Sequence, residues 1–259
     1  MQDTHLHRHK LLTKNVMFNL MGLGLPMIVA IFSIPILIAK LGTARFGILT
    51  LMWILISYAS LFDLGLGRAL TQQLSARLAS EQKDSSATLV WTSMLGLTGL
   101  GLLGAILMFV LAPFIVHALH VPANFALDTR HAIYVMSFSL PFIIGTDSVR
   151  GVLESHQAFF IVNSVRLPMG IYTFIGPIIA LYFSNSLTAI ALFLAFGKIV
   201  NFILYLFACF KVMPSLRDSI NFNRKDIGPL FKMGGWTTVS NIVSPLIGYL
   251  DRFFIAGVS

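Results

Sequence analysis

Seven long apolar runs constrain what this chain can fold into. Each approaches or exceeds the roughly 18 residues that a helix needs to cross a bilayer. Lipid offers no hydrogen bonds to an open sheet edge, and the runs lack the alternating pattern of a barrel strand. We therefore predict an all-α integral membrane protein. The predicted spans are 16–39, 47–67, 87–116, 132–150, 161–183, 186–210 and 234–259.

The composition excludes an ordinary soluble domain. Only 11% of the residues are charged and 56% are hydrophobic, whereas about 25% are charged in an average soluble domain. Most Lys and Arg lie in the connections between the apolar runs, so membrane topology explains the net charge of +8. The charge therefore does not indicate nucleic acid as a partner. Twelve lie on the side of the N-terminus and three on the other, which predicts a cytoplasmic N-terminus.

Charged residues inside or beside the apolar runs are the candidate functional residues, since a charge at mid-bilayer costs about 3 kcal/mol. Acidic and basic members come as neighbours, which predicts local neutralisation. The set contains five basic and three acidic residues, so its net charge is positive. A cationic cavity favours an anionic passenger. The set is Asp63, Arg68, Asp147, Arg150, Arg166, Lys198, Asp251 and Arg252.

Lys198 is the most unusual member of this set. It lies near the middle of the run 186–210 with no acidic residue nearby in the sequence, and its side chain cannot easily reach water across half a bilayer core. It therefore either lines a hydrated path or pairs with a carboxylate such as Asp63 or Asp147. The connection 68–86 has Leu70, Leu74 and Leu78 at helical spacing and is predicted to be an amphipathic helix along the inner interface.

No pattern in the sequence indicates an enzyme, a metal site or a cofactor. Metalloprotease, nucleophile-elbow, paired-cysteine and nucleotide-binding motifs are absent from the sequence. Histidines 5, 7 and 9 are interpreted as part of a solvated tail, and histidines 117, 120 and 131 as interfacial. The one cysteine, Cys209, excludes an intramolecular disulfide.

Three motifs in the same order resemble the Wzx-type O-antigen and polysaccharide flippases of the multidrug/oligosaccharidyl-lipid/polysaccharide superfamily. They are LGTARFGIL at 41–49, LFDLGLGRAL at 61–70, and GGWTTVSN at 234–241 with YLDRF at 249–253. The resemblance implies two six-helix lobes around a central cavity, in the MATE-like fold. It also implies alternating access that moves undecaprenyl-diphosphate-linked oligosaccharide across the bacterial inner membrane, with membrane lipids and other polysaccharide-assembly membrane proteins as partners.

On this resemblance the chain divides into a cytoplasmic tail (1–15), an N-terminal lobe of about six helices (16–210), an inter-lobe loop (211–229) and the start of a second lobe (230–259). The chain ends inside the first helix of that lobe, so we expect a fragment or a truncated form. Asp63 and Arg68 fall on one family motif and Asp251 with Arg252 on another. The candidates for gating and charge pairing are Asp63, Arg68, Asp147 and Asp251.

Lys198, Arg166, Arg150 and Arg252 are the candidates for contacting the passenger. The alternative functions are a multidrug or cation antiporter of the same superfamily and a membrane glycosyltransferase or polymerase. An antiporter favours a carboxylate that faces its cationic passenger, whereas the intramembrane charge of this chain is positive. A glycosyltransferase or polymerase needs a sizeable loop with catalytic carboxylates, which these connections do not supply.

Overall fold

The computed structural model describes residues 2–59, 63–80, 85–217 and 220–240, with side chains from residue 24 onward except at 55, 58 and 59. These ranges form helices and contain no strand. The helices are α1 (Gln2–Ala59), α2 (Leu66–Ala79), α3 (Ser86–Ala118), α4 (Ala123–Ser155), α5 (Phe159–Phe183) and α6 (Leu187–Val212). A further helix, α7, covers residues 224–240.

Within the described ranges, five helical segments are long and apolar enough to cross a membrane: Gly24–Ile54 within α1, and helices α3, α4, α5 and α6. Their outward faces carry large apolar side chains such as Phe32, Phe114 and Phe183, which are exposed on the bundle. Such faces are stable against lipid and unstable against water. The protein is an all-α integral membrane protein, as the sequence predicts.

The first two predicted spans are joined by a bend rather than by a loop. Gly42 lies inside α1 with φ 75° and ψ 164°, a conformation that glycine adopts without a steric penalty. The predicted connection between residues 39 and 47 is therefore a single sharp bend.

The predicted end of the second span, at residue 67, is wrong. Helix α1 ends at Ala59 and α2 begins at Leu66, and between them Leu64 and Gly65 have positive φ angles of 51° and 68°. The physical reason is packing: a Cβ on Gly65 would lie 2.5 Å from the carbonyl oxygen of Gly234. Leu66, which follows this turn, is buried by protein, so hydropathy alone extends the span too far.

Helix α4 is the central helix of the bundle. About 67% of its most apolar stretch is buried, against 11–33% for the other four segments. It packs against α3 on one side and α6 on the other. The crossing with α3 is close at Gly101, where a Cβ would lie 2.6 Å from Pro141 Cα. Of the four glycines in α3, this one makes the close helix approach that small residues permit.

Helix α2 confirms the helix predicted for the 68–86 connection, and its apolar face is covered by protein. Leu70 and Leu74 are fully buried in a core shared with α3 and α4. At its C-terminal end, Arg77 Nη2 contacts Asp226 Oδ1 of α7 at 2.6 Å. The Trp91 Nε1–H of α3 also donates to the Leu216 carbonyl at 3.1 Å. These contacts hold the polar connection and the start of α7 against α2 and α3.

Candidate functional site: a charged cluster between α4, α5 and α6

Three charged side chains lie along one face of α4, near its C-terminal end. Arg150 Nη2 contacts Asp147 Oδ1 at 3.0 Å, and Arg150 Nε contacts Glu154 Oε1 at 3.4 Å. Residues three and four apart are neighbours on a helix surface, so the backbone alone brings these three together. The Asp147 side chain is 11% exposed and that of Arg150 is 43% exposed. The carboxylate is thus sheltered, while part of the guanidinium stays available to a ligand.

Asp63 lies beside this group, at the turn before α2. Its Oδ1 accepts a hydrogen bond of 2.7 Å from the Gly65 N–H. Arg68 and Arg150 both attract its charge, and burial raises the pKa of the Asp63 carboxyl against these lowering effects. Asp63 and Asp147 repel one another. Arg150 attracts both carboxylates and therefore neutralises part of each.

Lys198 approaches the same group from α6. Asp147 is the charge that attracts it, yet among the described residues no carboxylate lies within ion-pair distance of its ammonium group. Its side chain lines a cavity of about 20 Å³ between α5 and α6, which is room for one water molecule. Direct pairing of Lys198 with a carboxylate is therefore absent among the described residues, and the hydrated path stays a prediction.

The walls of this cavity are polar as well as apolar. Tyr172 and Thr173 of α5 and Asn201 of α6 line it, and Asn201 Oδ1 is buried with no hydrogen-bond partner among the described residues. Tyr172 donates its hydroxyl to the Phe193 carbonyl at 2.9 Å. Its ring lies directly against Gly197, where any Cβ would overlap the ring. Gly197 therefore lets the tyrosine pack beside Lys198.

Arg166 of α5 is included for its electrostatic effect on the same region. It is exposed, and its charge acts on the buried Tyr205 hydroxyl together with those of Asp147, Arg150 and Glu154. The Tyr205 hydroxyl itself donates to the Val162 carbonyl at 3.0 Å. The cluster, as we define it, comprises Asp63, Arg68, Asp147, Arg150, Glu154, Arg166 and Lys198. Four cations against three carboxylates give a net charge of +1.

The structure extends the predicted set by one residue and leaves two predicted residues unplaced. Glu154 was missed, although its spacing of four residues from Arg150 is the signal for a helical ion pair. Asp251 and Arg252, which the sequence assigns to gating and to passenger contact, lie outside the described residues. Their roles stay predictions.

Asp128 is a second acidic residue that sequence reasoning missed, and it positions α6. Its carboxylate accepts hydrogen bonds from the Ser186 hydroxyl at 2.6 Å, the Leu187 N–H at 2.7 Å and the Thr188 N–H at 3.0 Å. The first N–H groups of a helix have no partners within it. Asp128 thus caps α6 from the neighbouring helix α4 and fixes the register in which α4 and α6 pack.

A family model described as "Polysaccharide biosynthesis protein" matches residues 12–258. The chain belongs to this family. A protein of Shigella flexneri named "Putative O-antigen transporter" is 29% identical over 247 residues, which cover 95% of this chain and 58% of that protein. No solved structure gives a significant match. The range that matches the polysaccharide biosynthesis family contains every residue of the cluster, and the chain spans 58% of the length of the Shigella flexneri relative.

Proposed function

We propose that the full protein is a membrane transporter, a flippase for undecaprenyl-diphosphate-linked oligosaccharide such as an O-antigen unit. It acts by alternating access in a bacterial inner membrane, with the N-terminus in the cytoplasm. The family match and the name of the Shigella flexneri relative support a role in polysaccharide export. The glycan is delivered to the far side of that membrane, where other polysaccharide-assembly proteins take it over.

The observation that carries this proposal is the charged cluster. Its cations lie on α2, α4, α5 and α6, and its formal net charge is +1. A diphosphate is the anionic part of a polyprenyl-linked sugar, and guanidinium groups match phosphate oxygens in charge and in geometry. A cation antiporter needs the opposite balance, with carboxylates free to face the passenger, whereas Asp147 is paired with Arg150 at 3.0 Å.

The cluster residues divide into two roles in this proposal. Arg150, Arg166 and Lys198 receive the diphosphate, together with Arg252, because a part-exposed guanidinium and an ammonium group beside a cavity keep donors available. Asp63, Asp147 and Asp251 pair with those cations and with Arg68, and they change partners as the cavity opens and closes. The polyprenyl chain stays in the bilayer during transport.

Charge removal at Lys198 tests the proposal. In cells that express the full-length protein, we expect Lys198→Ala to abolish O-antigen surface display at unchanged protein level. The matched control is Lys211→Ala, because Lys211 is an exposed cation in the last turn of the same helix, outside the cluster. Normal display in the Lys198 variant rejects the assigned role. Drug accumulation that changes while display does not would favour the antiporter.

A further inference from the structure

A second cavity lies between α2, α3 and α7. Its volume is about 180 Å³, and its lining includes Leu66, Ser93, Gly96, Ile227, Leu230 and Phe231. None of its lining residues belongs to the charged cluster. Leu95, Phe222 and Phe231 at its edge are all more than 40% exposed. The cavity is therefore apolar and opens on the apolar surface of the bundle.

An apolar cavity of this kind is filled best by hydrocarbon. Water has too few polar partners there, and genuinely apolar cavities stay dry and bind apolar molecules. In a membrane the nearest source of hydrocarbon is an acyl chain of the surrounding leaflet. The exposed rim of large apolar side chains gives such a chain a continuous path from the bilayer.

The helix that lines the cavity also supplies cationic charge. Arg224 precedes Ile227 by three residues and Phe231 by seven, so helical spacing places it on the face that lines the cavity. Lys225 and Lys232 are exposed on the same helix. The acidic residue of this stretch, Asp226, is already paired with Arg77 at 2.6 Å. The described part of α7 therefore presents cations beside the cavity without an acidic residue left to neutralise them.

One polar atom inside the cavity completes the pattern. Ser93 lines it, and the hydroxyl of this residue is buried with no hydrogen-bond partner among the described residues. The adjacent Thr92 hydroxyl already accepts a 3.0 Å hydrogen bond from the Asn223 N–H. A buried hydroxyl without a partner costs free energy, and the ester carbonyl of a glycerolipid supplies the missing acceptor.

We propose that this cavity binds one acyl chain of an anionic phospholipid, with its phosphate at Arg224 and an ester carbonyl at Ser93. The site is separate from the passenger's site, and it joins α3 to α7 through a resident lipid. Anionic headgroups bind basic residues at a membrane surface with about 1 kcal/mol per residue. The charge therefore selects the headgroup, and the cavity selects the chain.

Glycine substitutions in α3 provide a matched pair for the test. A Cβ on Gly96 and one on Gly99 would each meet nothing within 4 Å, but only Gly96 lines the cavity. With the full-length protein in uncharged detergent, binding of phosphatidylglycerol and phosphatidylcholine with identical acyl chains is measured by native mass spectrometry. We expect tighter binding of phosphatidylglycerol to wild type and Gly99→Leu, and loss of that binding in Gly96→Leu.

Removal of the cation tests the headgroup and does not depend on how the glycine variants fold. Arg224→Gln should weaken phosphatidylglycerol binding about fivefold and leave phosphatidylcholine unchanged, whereas the exposed Lys211→Gln should have no effect. Equal binding of the two lipids, or equal behaviour of the two glycine variants, overturns the proposal. Displacement by undecaprenyl diphosphate would make the cavity part of the passenger's route and also overturn it. Lys198→Ala leaves phosphatidylglycerol binding intact, which separates this test from that of the transport function.

Discussion

The ion pair between Arg77 and Asp226 should contribute strongly to the stability of the protein. It joins α2 to α7 through a 2.6 Å contact, and the two side chains are only 20% and 12% exposed. Arg77 Nη1 also donates to the Ser85 carbonyl at 2.9 Å. Removal of the arginine therefore leaves a sheltered carboxylate without its cation.

The expected magnitude follows from this burial. Breaking a buried pair by removing one partner costs about 3–5 kcal/mol, and the partial exposure of both side chains places Arg77→Ala at the low end, about 3 kcal/mol. For a chain of this size that lowers the melting temperature by roughly 6–12 °C. Asp226→Ala should cost less, because the remaining guanidinium keeps its bond to Ser85 and reaches solvent.

A double-mutant cycle by thermal unfolding in detergent measures the pair directly. We expect the double alanine variant to be less destabilised than the sum of the single variants, with a coupling energy of about 2 kcal/mol. Lys225→Ala is the control, since Lys225 is an exposed cation beside Asp226 in the sequence. Additive single effects, or an Arg77→Ala shift no larger than that of the control, would refute the reasoning.

Three further predictions concern packing, capping and the charged cluster. Gly101→Val should destabilise the protein by about 2 kcal/mol or more in thermal unfolding, because a Cβ at this position would lie 2.6 Å from the Cα of Pro141 in α4. The control Gly99→Val should fold normally in the same melting assay. Asp128→Ala should cost about 2 kcal/mol in that assay, since it removes the carboxylate that accepts from the Ser186 hydroxyl and from the first N–H groups of α6; a melting temperature equal to that of wild type contradicts this role. Asp63→Asn should reduce surface display of O-antigen less than Lys198→Ala does, because a neutral amide oxygen still accepts the adjacent N–H although it no longer attracts the cations.

The sequence predicts the class of this fold well because the bilayer imposes a length and a polarity on each span. It predicts the ends of the spans poorly. Leu64 and Leu66 read as membrane residues by hydropathy, yet they lie at a turn, where Leu66 is buried against protein. The predicted span 132–150 is likewise extended to Ala123–Ser155 in α4, because charged residues near a helix end can pair within the protein.

Local geometry explains which parts of the charged cluster were predictable. The neighbours Asp147 and Arg150 follow from helical spacing, and Glu154 obeys the same rule one turn later. The surroundings of Lys198 do not follow from helical spacing. Tyr172 comes from another helix and lies beside Lys198 only because the two helices pack closely at Gly197. Contacts between helices depend on their register, which hydropathy does not encode.

The proposal that the charged cluster carries the passenger is tested most directly by transport in a purified system. The full-length protein is reconstituted in liposomes, and the flipping of undecaprenyl-diphosphate-linked oligosaccharide is followed by protection of its sugar from an external enzyme. We predict that wild type and Lys211→Ala move the lipid-linked sugar and that Lys198→Ala does not, although all three reconstitute equally. Movement by Lys198→Ala at the rate of wild type would contradict the account.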